Sequence, residues 1–398
     1  MSGAPAAYLG ADVFDGERLL EDHALVVEGG RIGAILPAAE CPAQARRVTL
    51  EGGVLAPLFV DLQVNGGGGV MFNDDPSPAT LRKIVRAHAR LGTGALLPTL
   101  ITDTPERTRA AIEAVAAAID EGLAGIAGLH LEGPHLSVAR KGAHDPALIR
   151  PMEPADLEML LSAARRLPAL MVTLAPESTT PAQVRALAAA GVVVSLGHSD
   201  ADHDACLAHV RAGARCATHL FNAMSQLTNR APGLVGAVLE SGAVSAGIIA
   251  DGIHVHPATL GTALRAKRGP GTLFLVTDAM AVAGTGLDRF SLNGREVRRR
   301  DGRLTLADGT LAGADLEMSA ALRLLTGRLD LPLAEALAMA TSRPARIIGA
   351  EGRLGRLAPG MAADFLHLDA GLRLGRVWRA GDGGGGAADP AHIGAADG

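Results

Sequence analysis

Three residues in this 398-residue chain stand where they could share one cation. Glu132 ends the apolar run in Gly128-Leu129-His130-Leu131-Glu132-Gly133-Pro134-His135, His198 ends Val192-Val193-Val194-Ser195-Leu196-Gly197-His198, and His219 ends Cys216-Ala217-Thr218-His219. A carboxylate among apolar neighbours is costly unless a positive group pairs with it. One carboxylate and two imidazoles are zinc-type ligands, and three protein ligands with a fourth position left for water is the arrangement of a catalytic site. A single strand-end histidine reads more simply as a hydrogen-bonded rim residue. Three at equivalent strand ends favour a shared ion. Asp278, in Leu273-Phe274-Leu275-Val276-Thr277-Asp278-Ala279, closes another apolar run. With an ordinary pKa of about 3.9 it would be ionised at neutral pH. It reads as a base, or else as a helix cap or a partner for an arginine. Zinc can lower the pKa of water from about 15.7 to about 7, and the nucleophile so generated attacks carbonyls.

Positioning such residues requires strands spread along the whole chain. From residue 54 apolar strands alternate with segments of helical period: Val54–Val64, Ala95–Ile101, Ile126–Leu131, Leu170–Ala175, Val192–Leu196, Arg215–Leu220, Ser245–Ala250 and Leu273–Thr277. Helices are expected at Pro78–Arg90, Pro105–Ile119, Pro181–Ala190, Asp202–Arg211 and Pro257–Ala266, several of them opening with proline, which suits a first turn. The fold class expected is α/β, a (β/α)8 TIM-like barrel with a small β-sandwich domain formed by both chain ends. A doubly wound open sheet is the rival. Chemically loaded residues following strands all along the series favour the barrel. The expected domains are 1–53 with 352–382 (β domain), 54–351 (barrel, with a hairpin insert at about 287–310) and 383–398, a Gly/Ala/Asp-rich tail expected to be disordered.

Composition narrows the partners. The net charge of -5 argues against nucleic acid as a partner, and Arg298-Arg299-Arg300, the one basic run, is expected to be a solvated hairpin tip. Aromatic residues are 2%, too few for stacking platforms, so a small polar ligand is expected. Three cysteines, Cys41, Cys206 and Cys216, have no paired spacing, which argues against disulfides and Cys-ligated zinc. No apolar run reaches the roughly 20 residues of a membrane span, and no secretory signal opens the chain, so a cytoplasmic location is expected. Gly66-Gly67-Gly68-Gly69 lacks the Lys and Ser/Thr of a P-loop and reads as a tight strand-to-helix loop.

Several motifs together resemble one family. Val60-Asp61-Leu62-Gln63-Val64-Asn65-Gly66, Leu129-His130-Leu131-Glu132-Gly133-Pro134, Gly197-His198-Ser199, Ala217-Thr218-His219-Leu220-Phe221-Asn222-Ala223-Met224, Ile249-Ala250-Asp251-Gly252-Ile253-His254 and Val276-Thr277-Asp278-Ala279 follow in order the pattern of the N-acetylglucosamine-6-phosphate deacetylases of the amidohydrolase superfamily, over about residues 10 to 380. The resemblance implies deacetylation of N-acetyl-D-glucosamine 6-phosphate to glucosamine 6-phosphate and acetate by a metal-activated water with an Asp acid/base. Glu132, His198 and His219 would hold one divalent ion, zinc before iron, manganese or cobalt, and Asp278 would be the acid/base. Substrate contacts are implied for Ala143, His144, Asn222, Ala223, Arg230, Asp251, His254, Leu311, Ala312 and Gly313. Arg230 would reach the phosphate of a neighbouring site in a homodimer.

Gln63 and Asn65 stand where many amidohydrolases carry a His-x-His pair for a second metal. Neutral amides replace imidazoles poorly as ligands, so Gln63 is expected to bind water beside a single ion. His135 and Ala314-Asp315 depart from the family's pattern, which leaves the details of the sugar pocket open and the metal and its base untouched. Three alternatives stay open: an N-acetylgalactosamine-6-phosphate deacetylase, another amidohydrolase acting on a cyclic amide or as a deaminase, and a catalytically silent sugar-phosphate-binding regulator.

Overall fold

The structure, a computed structural model, describes residues 5–380, so the expected disordered tail at 383–398 lies outside the described residues. The chain divides into two compact units. One comprises the residues up to Val60, 90–94 and those from Met318 on, and the other comprises Asp61–Ala89 and Ala95–Glu317.

Eight strands, all but the first two residues of β1 and of β2 in the second unit, form one sheet hydrogen-bonded in sequence order: β1 Phe59–Val64, β2 Thr93–Ile101, β3 Leu129–Glu132, β4 Leu170–Leu174, β5 Val193–Leu196, β6 Cys216–Ala217, β7 Ser245–Ile248 and β8 Leu273–Leu275. Nearly every residue in them is buried, as expected of parallel strands covered on both faces. Beyond the end of β8, Asp278 N donates to Gln63 O at 3.1 Å and Asn65 N to Ala279 O at 2.9 Å, which brings the last strand back to the first. The sheet is a TIM-like barrel, and the open-sheet rival fails because neither β1 nor β8 is a free edge.

The expected segment Val54–Val64 is two strands. Val54–Pro57 belongs to a sheet of the first unit, and β1 starts at Phe59. Pro57 has no N–H to donate, so a ladder does not run through it. The helices Pro78–Arg90, Pro105–Asp120, Pro181–Ala189, His203–Ala212 and Pro257–Ala266 lie where period and proline place them, and Thr104, Thr180 and Asp202 accept N–H bonds at the starts of three of them. Two further helices carry weaker signals. Gly233–Glu240 is apolar and buried almost all round, so it shows no helical period, and Pro154–Arg166 is capped by Glu153 and Asp156 in place of the usual hydroxyl.

Inside the barrel, one layer below the strand ends, lies a belt of hydrogen bonds. His130 joins Thr99 Oγ1 at 3.1 Å and Thr173 Oγ1 at 2.7 Å, and Thr218 joins Thr173 at 2.6 Å and Ser195 at 2.7 Å. Burial pushes the His130 imidazole down to about 4, so it is neutral.

A four-stranded antiparallel sheet follows the barrel, running through Arg289–Leu292, Arg295–Arg300, Arg303–Thr305 and Leu311–Ala314. The arginine run is a strand and the tip is Asp301-Gly302. Arg298 and Arg300 alternate outward as expected, whereas Arg299 is held by Asp315 at 2.8 Å and Thr285 O at 2.9 Å, because successive strand residues face opposite sides. The glycine tract is likewise a hairpin: Gly66–Gly67 pairs with Val70–Met71, and Gly68 and Gly69 turn with φ of 63° and 86°.

The first unit holds two sheets. One orders Arg31–Pro37, His23–Glu28, Ala6–Leu9 and Arg46–Thr49; the other orders Leu374–Trp378, Phe365–Leu368, Val54–Pro57, Asp12–Phe14 and Leu19–Leu20. Tyr8 and Leu25 of the first pack on Val13, Leu55 and Phe365 of the second, so both chain ends share one sandwich core. The helices Met318–Leu329, Leu333–Ala340 and Ser342–Ile347 fall in this unit.

Candidate metal and catalytic site

Strand register sets the heights of the three ligand candidates. Glu132 lies opposite Thr173, Thr173 opposite Ser195, and Ser195 opposite Cys216, so His198 and His219 each stand three residues beyond Glu132's row. The strand ends are therefore equivalent for the two histidines but not for Glu132. Left-handed turns make up the difference: φ is 46° at His198, 31° at His219 and 51° at Asp278. Such φ values cost non-glycine residues about 1–3 kcal/mol each and persist where the surroundings over-determine them, typically at functional sites.

The turned side chains converge. Glu132 Oε1 lies 3.2 Å from His198 Nε2 and 3.0 Å from His219 Nε2, and the two nitrogens are 3.1 Å apart. His198 Nδ1 faces the carbonyl oxygen of Arg140 at 2.8 Å, so Nδ1 carries the proton and Nε2 presents a lone pair. The Nδ1 of His219 is buried without a partner. Lone pairs on two nitrogens and a carboxylate gathered at one point repel unless a positive charge sits among them. Burial by itself would raise Glu132, but the imidazoles facing it favour its anion and hold it well below the usual carboxylate range. These donors fit a divalent cation. Among the described residues they form the one such ligand group.

Gln63 and Asn65 tie this group to Asp278. Gln63 Nε2 donates to both oxygens of Glu132 at 3.3 Å and to Asp278 Oδ1 at 3.1 Å, and Asn65 Nδ2 donates to Asp278 Oδ1 at 2.7 Å. Gln63 thus bridges two carboxylates. Burial, with the Glu132 charge added, pushes the Asp278 carboxyl up to about 6. A group that must be ionised to accept a proton then works better as pH rises through its pKa. A cation alongside favours the anion and lowers that pKa. We therefore expect kcat/KM to fall on the acid side with a midpoint no higher than about 6, measured over pH 4–8.

A cavity of about 390 Å³ opens over these residues, a size that suits a small polar ligand. Its lining includes Asn65, Glu132, His198, His219 and Asp278, and of the implied substrate residues Ala143, His144, Asn222, Ala223, His254, Leu311 and Gly313. Thr102 N and Oγ1 approach His144 Nδ1 at 3.3 and 2.8 Å, which makes Nδ1 an acceptor and leaves Nε2–H as the ring's donor. Burial, with His198 alongside, pushes His144 down to about 3, so it donates as a neutral ring. His254 Nδ1 meets Asp251 Oδ2 at 2.6 Å, so Asp251 acts behind His254 and not at the cavity wall.

The structure does not bring every implied residue to the cavity. Ala312 is buried behind the wall, and Arg230 is exposed and absent from the lining. His135 packs against Arg150 O at 3.1 Å, and Asp315 binds Arg299, so neither sequence departure alters the cavity wall. The sequence reading missed Thr102, Arg140 and Arg295. Thr102 follows the end of β2, a position that could have flagged it. Arg140 serves His198 through its carbonyl, which leaves no side-chain signal. Arg295 donates to Ala143 O from the added sheet, a contact between residues far apart in sequence.

Residues 54–389 match the amidohydrolase family, and residues 7–55 match the NagA composite domain. The chain is 45% identical to the N-acetylgalactosamine-6-phosphate deacetylase of Shewanella sp. (strain ANA-3), over 94% of each. It is 36% identical to the N-acetylglucosamine-6-phosphate deacetylase of Haemophilus influenzae, over 87% of this chain and 91% of that protein. Among solved structures, N-acetylglucosamine-6-phosphate deacetylase from Pasteurella multocida aligns with a TM-score of 0.89 at 36% identity, over 95% of this chain and 98% of that one. A mutant of the Mycobacterium smegmatis N-acetyl-D-glucosamine-6-phosphate deacetylase, in complex with N-acetyl-D-glucosamine-6-phosphate, aligns with a TM-score of 0.87 at 33% identity, over 95% and 99%. No described helix is long and apolar enough to cross a membrane.

Proposed function

The chain belongs to the amidohydrolase family, and on that premise we propose that it hydrolyses the acetamide of N-acetyl-D-glucosamine 6-phosphate, releasing acetate and the free amine. The observation that carries this reading is the Asp278 carboxylate held beside the Glu132, His198 and His219 donors in one cavity. Glu132, His198 and His219 hold one divalent cation, zinc by preference, with iron, manganese and cobalt accepted by the same donors. Bound there, the cation supplies Lewis acidity that makes water a nucleophile near neutral pH and polarises the acetamide oxygen.

The protein's own groups do the rest. Asp278 Oδ1 is occupied by the Gln63 and Asn65 amides, which leaves Oδ2 to take the attacking water's proton. Asp278 then returns that proton to the departing nitrogen, so the amine leaves neutral. His144 donates Nε2–H to an oxygen of the substrate without changing its own charge. His254, oriented by Asp251, faces the phosphate end.

Arg230 is too exposed to serve this chain's cavity, and we assign it to the phosphate in the neighbouring subunit of a homodimer, where its guanidinium fork suits a dianion. A cytoplasmic location fits this reading, since a phosphorylated sugar does not cross a membrane unaided. The test compares phosphorylated and unphosphorylated substrates. Arg230→Ala is expected to raise KM about 10- to 100-fold for the phosphorylated sugar, the worth of one charge-assisted bond, and to leave the unphosphorylated sugar unaffected. Equal effects on both would remove Arg230 from the phosphate. The 45% identity to a galactosamine-type relative supports N-acetylgalactosamine 6-phosphate, which differs in the direction of one hydroxyl, as a second substrate.

A further inference from the structure

Asp61 is fully buried, lies outside the cavity lining, and takes no part in the chemistry above. Its carboxylate is nonetheless committed at both oxygens. Oδ1 accepts from Gln63 N at 3.2 Å and from Thr277 N at 3.3 Å, and Oδ2 accepts from the Thr277 hydroxyl. These contacts span the seam where β8 meets β1. The other seven neighbouring strand pairs of the barrel join along the strands themselves, whereas this seam has a single backbone bridge, between Val64 and Ala279. Asp61 thus supplies from a side chain the acceptor that a backbone ladder would offer Thr277.

Thr277 directly precedes Asp278, whose φ of 51° is one that a non-glycine residue holds only when its neighbours are fixed. The restraints form a sequence across the turn. Asp61 holds Thr277, Gln63 O accepts Asp278 N at 3.1 Å, Ala314 N donates to Asp278 O at 2.9 Å, and Asn65 fixes the carboxylate. Asp61 holds both the N–H and the hydroxyl of Thr277, and of these four restraints only the Asp61 contact acts on the residue that leads into the turn. From this geometry we infer that Asp61, acting through Thr277, is a positioning residue for Asp278: its carboxylate locks the left-handed turn that aims the acid/base over the donor group. The effect on catalysis rests on the proposed function, whereas the effect on the turn does not.

The test uses the full-length, metal-loaded protein and four variants. Asp61→Asn keeps the oxygen that accepts both N–H groups and lets its amide donate to the Thr277 hydroxyl, so its kcat is expected to stay within about 3-fold of wild type. Asp61→Ala is expected to lose about 100-fold in kcat, the scale of a small misplacement of a reacting group, with KM and metal content per chain unchanged. Thr277→Val, which deletes only the hydroxyl, is expected to lose kcat in the same direction, and Thr277→Ser to restore it. A crystal structure of metal-free Asp61→Ala is expected to show Asp278 out of the left-handed region. Thr277→Val carries both measurements if Asp61→Ala does not fold.

A merely structural Asp61 would lower the melting temperature and leave kcat per folded, metal-loaded chain unaltered, which overturns the inference. An Asp278 turn unchanged in the crystal overturns it too, whichever substrate the wild-type protein accepts. If wild-type protein releases no acetate from either hexosamine phosphate, the proposed function fails and the crystal measurement alone decides the role of Asp61.

Discussion

Replacing Asp278 with Asn is expected to lower kcat by about 10²–10⁴-fold, the usual worth of a positioned acid/base, while the metal content per chain stays as in wild type. The reason lies in the division of labour between the two oxygens. Oδ1 is spent on the Gln63 and Asn65 amides, and an asparagine oxygen there accepts the same bonds. Its amide group at the other position donates hydrogen and cannot take a proton from water. The variant should therefore fold, bind the ion and bind substrate, and fail only in proton transfer. Near-normal turnover would remove Asp278 from the mechanism and leave it a structural role alone. The acid limb near or below pH 6 should vanish in this variant, since the group responsible for it is gone.

Replacing Glu132 with Ala is expected to act one step earlier, on the ion itself. Glu132 is the anionic member of the donor group, and its Oε1 lies within 3.2 Å of both imidazole Nε2 atoms. Without it two neutral rings remain, and neither Gln63 nor Asn65 brings a charge to replace it. We expect metal affinity to fall more than about 100-fold, beyond the cost of losing an outer hydrogen-bond partner of a ligand, with activity falling in step and partly recovered at high metal concentration. Elemental analysis after dialysis measures this directly. Full occupancy in the variant would mean that the ion is held elsewhere.

Much of this was legible in the sequence because the relevant signals are local. Glu132, His198, His219 and Asp278 each end an apolar run, and parallel strands buried on both faces advertise themselves as such runs. Four of the five expected helices open with proline, which marks them equally plainly. What stayed hidden depends on register, backbone and distance along the chain. No residue type announces that His198 and His219 stand three positions above Glu132, because stagger is a property of the assembled sheet. The break after Pro57 was lost in a continuous apolar stretch, and the buried helix Gly233–Glu240 has no polar face to set a period. The bridge that Gln63 makes from Glu132 to Asp278 joins positions 69 and 215 residues away in sequence. Asp61 belongs to the same class: a conspicuous charge in an apolar strand, whose partner Thr277 lies 216 residues further on.

The central claim is that one cation held by Glu132, His198 and His219 works with Asp278 to deacetylate an N-acetylhexosamine 6-phosphate. Its most direct test is acetate release from the glucosamine and galactosamine epimers by protein stripped with a chelator and then reloaded with a single divalent ion per chain. The account predicts no release from stripped protein and restored release on reloading, with one acetate formed for each free amine. Undiminished release from metal-free protein, or none from either epimer after reloading, would contradict it.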